Sequence, residues 1–508
     1  SDPAGSGTRD DDGQRGAMRT IARSGSVNAA GALVGAMSNF LLVVLIARWW
    51  SPAEAGGLFA ATSVFIIAVA LCHLGVDQGL VRFLAWNVGK GGDTKNRGLT
   101  LWALVPVLAL ALAVAGAGWF GAPLLQSALG DSAAEGELIV VVRVLAVSLP
   151  FAVLYEELLA ITRGYARMRA TVVLERVLRP CLQVVCVVVA AQVSPSISVL
   201  AVAWVLPYLV CVVLAGVAAH GTIRAMPRDA HWARPERAAL SEFWRFTAPR
   251  GAARLAQIGI QRLDIVIVSF LAGPAAAAIY TSVTRFLVLG QTATAALQQV
   301  SEPQLAKLLG ADKLGGAAAV VRQMTSWSTM LAIPLYLSIA VHADTLLGLV
   351  FGPDYVSGSA LLRLLCVAMI IGVCCGPVDV LLLMAGRSSL SLVNTMSALF
   401  VDVLLCFLLV PSLSYFGAGV AWAAAILVKN AMACIQVWRH LGVTVFTARQ
   451  ARWAAGLVVA FGLLPWVLSE LANHWVALGA SVTIGCGFLL WMWRNRARLL
   501  HTEAQVGG

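Results

Sequence analysis

The sequence predicts an all-α polytopic membrane protein of about fourteen transmembrane helices, two lobes of six plus two further C-terminal helices. Three observations predict it. Apolar residues make up 59% of the 508 positions and charged residues only 12%, about half the charged share of a soluble chain. Lys and Arg gather in alternate connections between apolar segments. Matching positions in the two halves share one spacing.

At ~20 apolar residues per crossing, helices are read at 28–49, 56–84, 99–120, 137–160, 171–192, 198–222, 247–271, 276–303, 318–341, 357–384, 389–410, 415–438, 453–470 and 475–493. Residues 1–24 read as a disordered cytoplasmic tail, 25–225 as an N-lobe and 226–245 as a cytoplasmic linker. Residues 246–440 form a C-lobe, 441–494 the last two helices, and 495–508 a second cytoplasmic tail. With the N-terminus inside, 25 of the 36 basic residues fall in cytoplasmic segments, which places both termini in the cytoplasm. The net charge of +11 is therefore a signature of topology, not of a nucleic-acid partner. Pro52 with Pro274, Gly164 with Gly386, and Glu157 with Asp379 all differ by 222, as expected of parallel six-helix repeats.

The seventh helix carries Arg250, Arg254, Gln257, Gln261 and Asp264 at steps of four, three, four and three. On a helix these form one stripe ~21 Å long, opposite Ala252, Leu255, Gly259, Leu263 and Val266. A charge facing lipid costs a few kcal/mol or more, so the stripe should face another helix or a wet cavity. Cations at one end, amides in the middle and a carboxylate beyond suit an anionic, hydroxyl-rich solute. The plainer reading has Arg250 snorkelling to the interface and Asp264 pairing with a cation on another helix. The repeat offset puts Asn28 and Asn39 at the positions of Arg250 and Gln261.

The eighth helix presents Thr281, Thr284, Gln291, Gln298 and Glu302 on a second polar face, with Arg285 beside it. Helix packing is the alternative role for that face. His73 and Asp77, spaced i, i+4 in the second helix, read as a local ion pair or a functional pair. Glu175, Arg176 and Arg179 read as an interfacial group. Arginine forks hold phosphate through two parallel hydrogen bonds, which makes phosphate the anion of choice.

Other classes are disfavoured. There is no G-x-x-x-x-G-K-[ST] nucleotide loop, and the ten cysteines lie in apolar segments without metal-ligand spacing. The longest outside loops, near 121–136 and 342–356, contain no Lys or Arg. That is a poor setting for a membrane glycosyltransferase or ligase.

Several stretches carry a family resemblance. They are Gly35–Phe59, with R-W-W-S-P-A-E-A-G-G-L-F at its end, L-G-V-D-Q-G-L-V-R from Leu74, and A-P-R-G-A-A-R-L-A-Q-I-G-I-Q-R-L-D from Ala248. Together with Y-F-G-A-G-V-A-W from Tyr415, they resemble the polysaccharide-export branch of the multidrug/oligosaccharidyl-lipid/polysaccharide (MOP) transporter superfamily, the Wzx-like O-antigen flippases. The resemblance implies two lobes rocking around a central cavity in the bacterial cytoplasmic membrane. It implies a polyprenyl-pyrophosphate-linked oligosaccharide as cargo, no enzyme activity and no bound cofactor, with coupling to H⁺ or Na⁺ open. Phosphate contacts fall to Arg250 and Arg254, joined by Arg262 and Arg285. Sugar contacts fall to Asn28, Asn39, Gln257, Gln261, Gln291 and Gln298, and coupling or gating to Asp264, Asp77, Glu157 and Asp379. Membrane lipids, a polysaccharide polymerase and glycosyltransferases are the implied partners. The first helix lacks the central Arg of peptidoglycan-precursor flippases. The rival within the superfamily is a cation-coupled multidrug exporter, which should show carboxylates and aromatics in its cavity instead of paired arginines.

Overall fold

Ser51, Pro52 and Glu54 show how this chain starts a membrane helix. The Ser51 side chain caps the Glu54 amide while Glu54 reaches back to the Ser51 amide, and Pro52 fills the first turn, where no amide hydrogen is needed. Pro274, at the repeat offset, opens its helix in the same way after Gly273, whose φ is +89°. The computed structural model describes residues 30–89, 96–129, 136–224, 236–444, 448–471 and 474–495, and none of them is in a strand.

The N-terminal bundle comprises α1 (Ala30–Trp49), α2 (Pro52–Cys72), α3 (Val76–Gly89), α4 (Asn96–Leu129), α5 (Glu137–Gly164), α6 (Met168–Ala170), α7 (Arg179–Val193) and α8 (Ile197–Arg224). The C-terminal bundle comprises α9 (Arg237–Ala272), α10 (Pro274–Gly310), α11 (Leu314–Val341), α12 (Ala343–Val350), α13 (Ser359–Cys374), α14 (Val378–Met384) and α15 (Ser388–Leu441). The remaining helices are α16 (Ala448–Val458), α17 (Leu464–Leu471) and α18 (His474–Arg494). In the first bundle α5 is central, packed on α2, α3, α4 and α8; in the second, α15 packs on α9, α13 and α14. Leu457 and Phe461 join the last helices to Met330 and Ile333 of α11.

Among the described residues, eleven helical segments are long and apolar enough to cross a membrane. The difference from fourteen has physical causes. The eleventh and twelfth segments run on as one helix with a kink at Ser414. The fifth is divided by a π-helical stretch, Thr171–Leu178, and the eighth is too rich in Gln and Thr to score as apolar. The seventh helix begins at Arg237, inside the segment read as linker, because Phe243 is fully buried against Phe83 of α3. Asn28, residues 1–24, residues 496–508 of the second tail, residue 225 and residues 226–235 of the linker lie outside the described residues.

One end of the bundles, the basic end, carries the basic turns with Arg163, Arg167 and Arg387. The bundles meet at both ends. At the far end a Cβ on Gly56 would stand 1.7 Å from the Pro274 carbonyl oxygen, so only glycine permits the approach of α2 to α10. Deeper in, Phe40, Phe286 and Phe351 interlock across the bundles at 5.6–6.1 Å. Arg48 donates to the carbonyls of Leu349 and Val350 at the end of α12, where the helix leaves acceptors unpaired.

At the basic end the second span is broken. Leu74 and Gly75 take φ of +50° and +78° between α2 and α3. A Cβ on Gly75 would lie 2.3 Å from the Thr247 oxygen, and one on Gly251 would lie 2.5 Å from the Leu74 carbonyl carbon. Backbone therefore meets backbone between α3 and α9.

Candidate functional site

A cavity of about 350 Å³ lies between the bundles. The N-terminal bundle lines it with Asn39 and Thr62, and with Glu156, Arg179, Gln183 and Tyr208; the C-terminal bundle adds Arg262, Thr281 and Arg285. Arg262 is ten residues from the far end of α9 and Arg285 eleven from the start of α10. At ~1.5 Å per residue both stand near mid-membrane.

Arg179 donates to Gln183 at 3.1 Å and to the Tyr208 hydroxyl at 3.2 Å, with its guanidinium 5.1 Å from the Tyr208 ring. Gln183 in turn donates to the Trp204 carbonyl at 3.0 Å, which fixes its side chain. Arg262 forms no hydrogen bond or ion pair with a described residue, and the Nε of Arg285 is buried without a partner. Three guanidinium groups thus share a low-dielectric cavity in which Glu156 is the one carboxylate of the lining. Such a site attracts an anion, and forked donors suit phosphate oxygens.

The other candidates are placed as follows. Arg254 does not open onto the cavity. It bridges the bundles, donating to Asp77 and, at 2.8 Å, to Glu156. Arg250 donates to Gln78 at 3.1 Å and stacks on Phe246, with its guanidinium 4.4 Å from the ring. Asp264 is buried, accepting from its neighbour's amide Ile265 N at 2.8 Å and from Tyr280 at 2.6 Å. Asn39 lines the cavity and also donates to the Gly35 carbonyl at 2.8 Å. Gln257 and Gln261 are exposed, Gln298 is half-buried away from the cavity lining, and Gln291 reaches the Met369 sulfur at 3.6 Å. Asp379 pairs with Lys429 at 3.4 Å. Glu157 is fully buried beside His73.

The chain matches, over residues 45–359, the family described as polysaccharide biosynthesis protein. It belongs to this family. A search of curated proteins found no match. Among solved structures the chain is similar to lipid II flippase MurJ in an inward closed conformation, with a TM-score of 0.72 at 10% identity, over 92% of this chain and 99% of that one. It is also similar to an inward-facing multidrug resistance MATE family transporter of the MOP superfamily, with a TM-score of 0.64 at 16% identity, over 85% and 98% of the two chains. A third likeness, at 0.57 and 16%, is to a MOP superfamily transporter from Pyrococcus furiosus described as having a binding pocket of reverse polarity, over 84% and 96% of the chains. The fold is that of MOP-type transporters, as the resemblance implied, and the protein is a multi-pass membrane protein.

Two features of this family member are not legible in its sequence. Spacing alone puts Arg179 at the interface, but the π-helical stretch before it adds residues to the turn and rotates the helix beyond, bringing Arg179 onto the cavity. Glu175 stays outside and pairs with Arg163 at 3.3 Å. His73 and Asp77 are not an i, i+4 pair, because the helix breaks between them. His73 instead lies between Glu156 and Glu157, at 2.9 and 2.7 Å.

Proposed function

We propose that this protein is a flippase that moves a polyprenyl-(pyro)phosphate-linked oligosaccharide from the inner to the outer leaflet of the bacterial cytoplasmic membrane by alternating access, for cell-surface polysaccharide. The observation that carries the reading is the set of three arginines on one cavity, Arg262 and Arg285 facing Arg179, with Glu156 as the one carboxylate of the lining and Asp264 buried behind them. A drug exporter for cations would gain nothing from three guanidinium groups in its cavity. A pyrophosphate supplies the missing negative charge, and Asn39, Gln183, Thr62 and Thr281 offer partners to the first sugars. Membership of a polysaccharide biosynthesis family and the likeness in fold to a lipid II flippase support the same class.

In this reading the basic end faces the cytoplasm together with both termini. The lipid tail stays in the bilayer while the phosphates enter between α3 and α9. Depletion of the protein should leave a lipid-linked sugar on the cytoplasmic face, and a wild-type copy should clear it. Normal export with no such accumulation contradicts the reading.

A further inference from the structure

The best-connected charges in the membrane interior run from Glu156, on the cavity wall, to the place where α2, α3 and α5 meet α9. The two ring nitrogens of the buried His73 face carboxylate oxygens: Nδ1 is 2.7 Å from Glu157 Oε1 and Nε2 is 2.9 Å from Glu156 Oε2. A neutral imidazole has one N–H. Only the Nδ1 contact is a hydrogen bond; Nε2 stands at ion-pair distance from Glu156 without one, so a second proton on the ring would face a carboxylate already in place. The same Glu156 oxygen accepts from Arg254 of the opposite bundle at 2.8 Å, and Arg254 also holds Asp77.

We infer that His73, Glu156 and Glu157 form a proton-binding site whose occupancy is linked, through Glu156, to opening of the basic end. At that end Arg254 supplies the ion pairs that cross the closure, beside the Gly75–Gly251 backbone approach. When α9 swings away, Arg254 leaves three carboxylates, Asp77, Glu156 and Glu157, with His73 as the one cation among them. Glu157 Oε2 and Asp77 Oδ1 are buried and have no hydrogen-bond partner among the described residues even in the closed state. The surroundings supply little relief. Arg179 of α7 acts on Glu156 from the cavity side but is shared with the Tyr208 hydroxyl, and Glu175 is already paired with Arg163. Removing a cation from such a cluster draws in a proton, so the open state binds more protons than the closed one. By linkage, acid favours opening and alkali favours closure. The break at Leu74–Gly75 sits between His73 and Asp77, so the cluster spans the hinge that must flex.

The test needs no cargo, so its outcome is independent of what the cavity carries. The full-length protein, with its ten native cysteines replaced by alanine, receives spin labels at Val88→Cys and Ser241→Cys and is placed in lipid nanodiscs. Both positions are exposed, one on each side of the closure. Distance distributions recorded over about pH 5 to 8 should show the open-to-closed ratio rising as pH falls, by up to about tenfold per unit for one proton. Glu156→Gln and Arg254→Gln should both raise the open fraction and flatten the profile. A ratio that ignores pH with the cluster intact overturns the inference, as does the intact slope persisting in both variants.

Discussion

Arg262 and Arg285 stand at mid-membrane, where charges are rare, and share with Arg179 a cavity that Glu156 alone among carboxylates lines. If they hold phosphate, each charge-assisted contact contributes about 1.5–3 kcal/mol, or roughly ten- to a hundredfold in affinity. Arg262→Ala and Arg285→Ala should therefore cut glycan export severely at unchanged membrane levels. Lys at either position should retain part of it, because it keeps the charge and loses the fork. Export in a depleted strain carrying each variant measures this, and full rescue by both alanine variants would place the phosphate elsewhere. These two arginines are readable in the sequence as intramembrane cations. That Arg254 is taken by Asp77 and Glu156 is not, because spacing along one helix says nothing of a carboxylate 98 or 177 residues away.

Among the elements, the second span and α9 form the closure. The apolar run of the second span reads as one helix, and hydropathy gives no sign that Leu74 and Gly75 turn left-handed within it. Gly75 and Gly251 matter because each admits the other's backbone, a contact between residues far apart in the chain that leaves no periodic trace. Gly251→Ala puts a methyl group 2.5 Å from the Leu74 carbonyl carbon, so backbone must shift. We expect the α3–α9 distance to widen at neutral pH while helix content by circular dichroism is unchanged. An unaltered distance would show that the basic end is held by its charges alone. The π-helical stretch before Arg179 escapes sequence reading for a related reason: one wider turn moves a side chain to another face without changing composition.

For the whole molecule, the legible part is what lipid imposes on composition: long apolar helices, alternate basic turns and a repeat offset. The conformation is not legible. It depends on Gly56 against Pro274 at the far end and on Gly75 against Gly251 at the basic end, which together close the bundles around the arginine cavity. Alternating access then requires one set of contacts to part while the other holds, with the cargo phosphates on Arg179, Arg262 and Arg285 between them. The most direct test is flipping in proteoliposomes of a fluorescent polyprenyl-pyrophosphate oligosaccharide, followed by the loss of signal when an impermeant quencher or glycosidase reaches the outer leaflet. The wild-type protein should move the labelled lipid, and the Arg262→Gln, Arg285→Gln double variant should slow it by at least about a hundredfold. Equal rates for the two proteins would contradict the assignment of this cavity as the phosphate-carrying path.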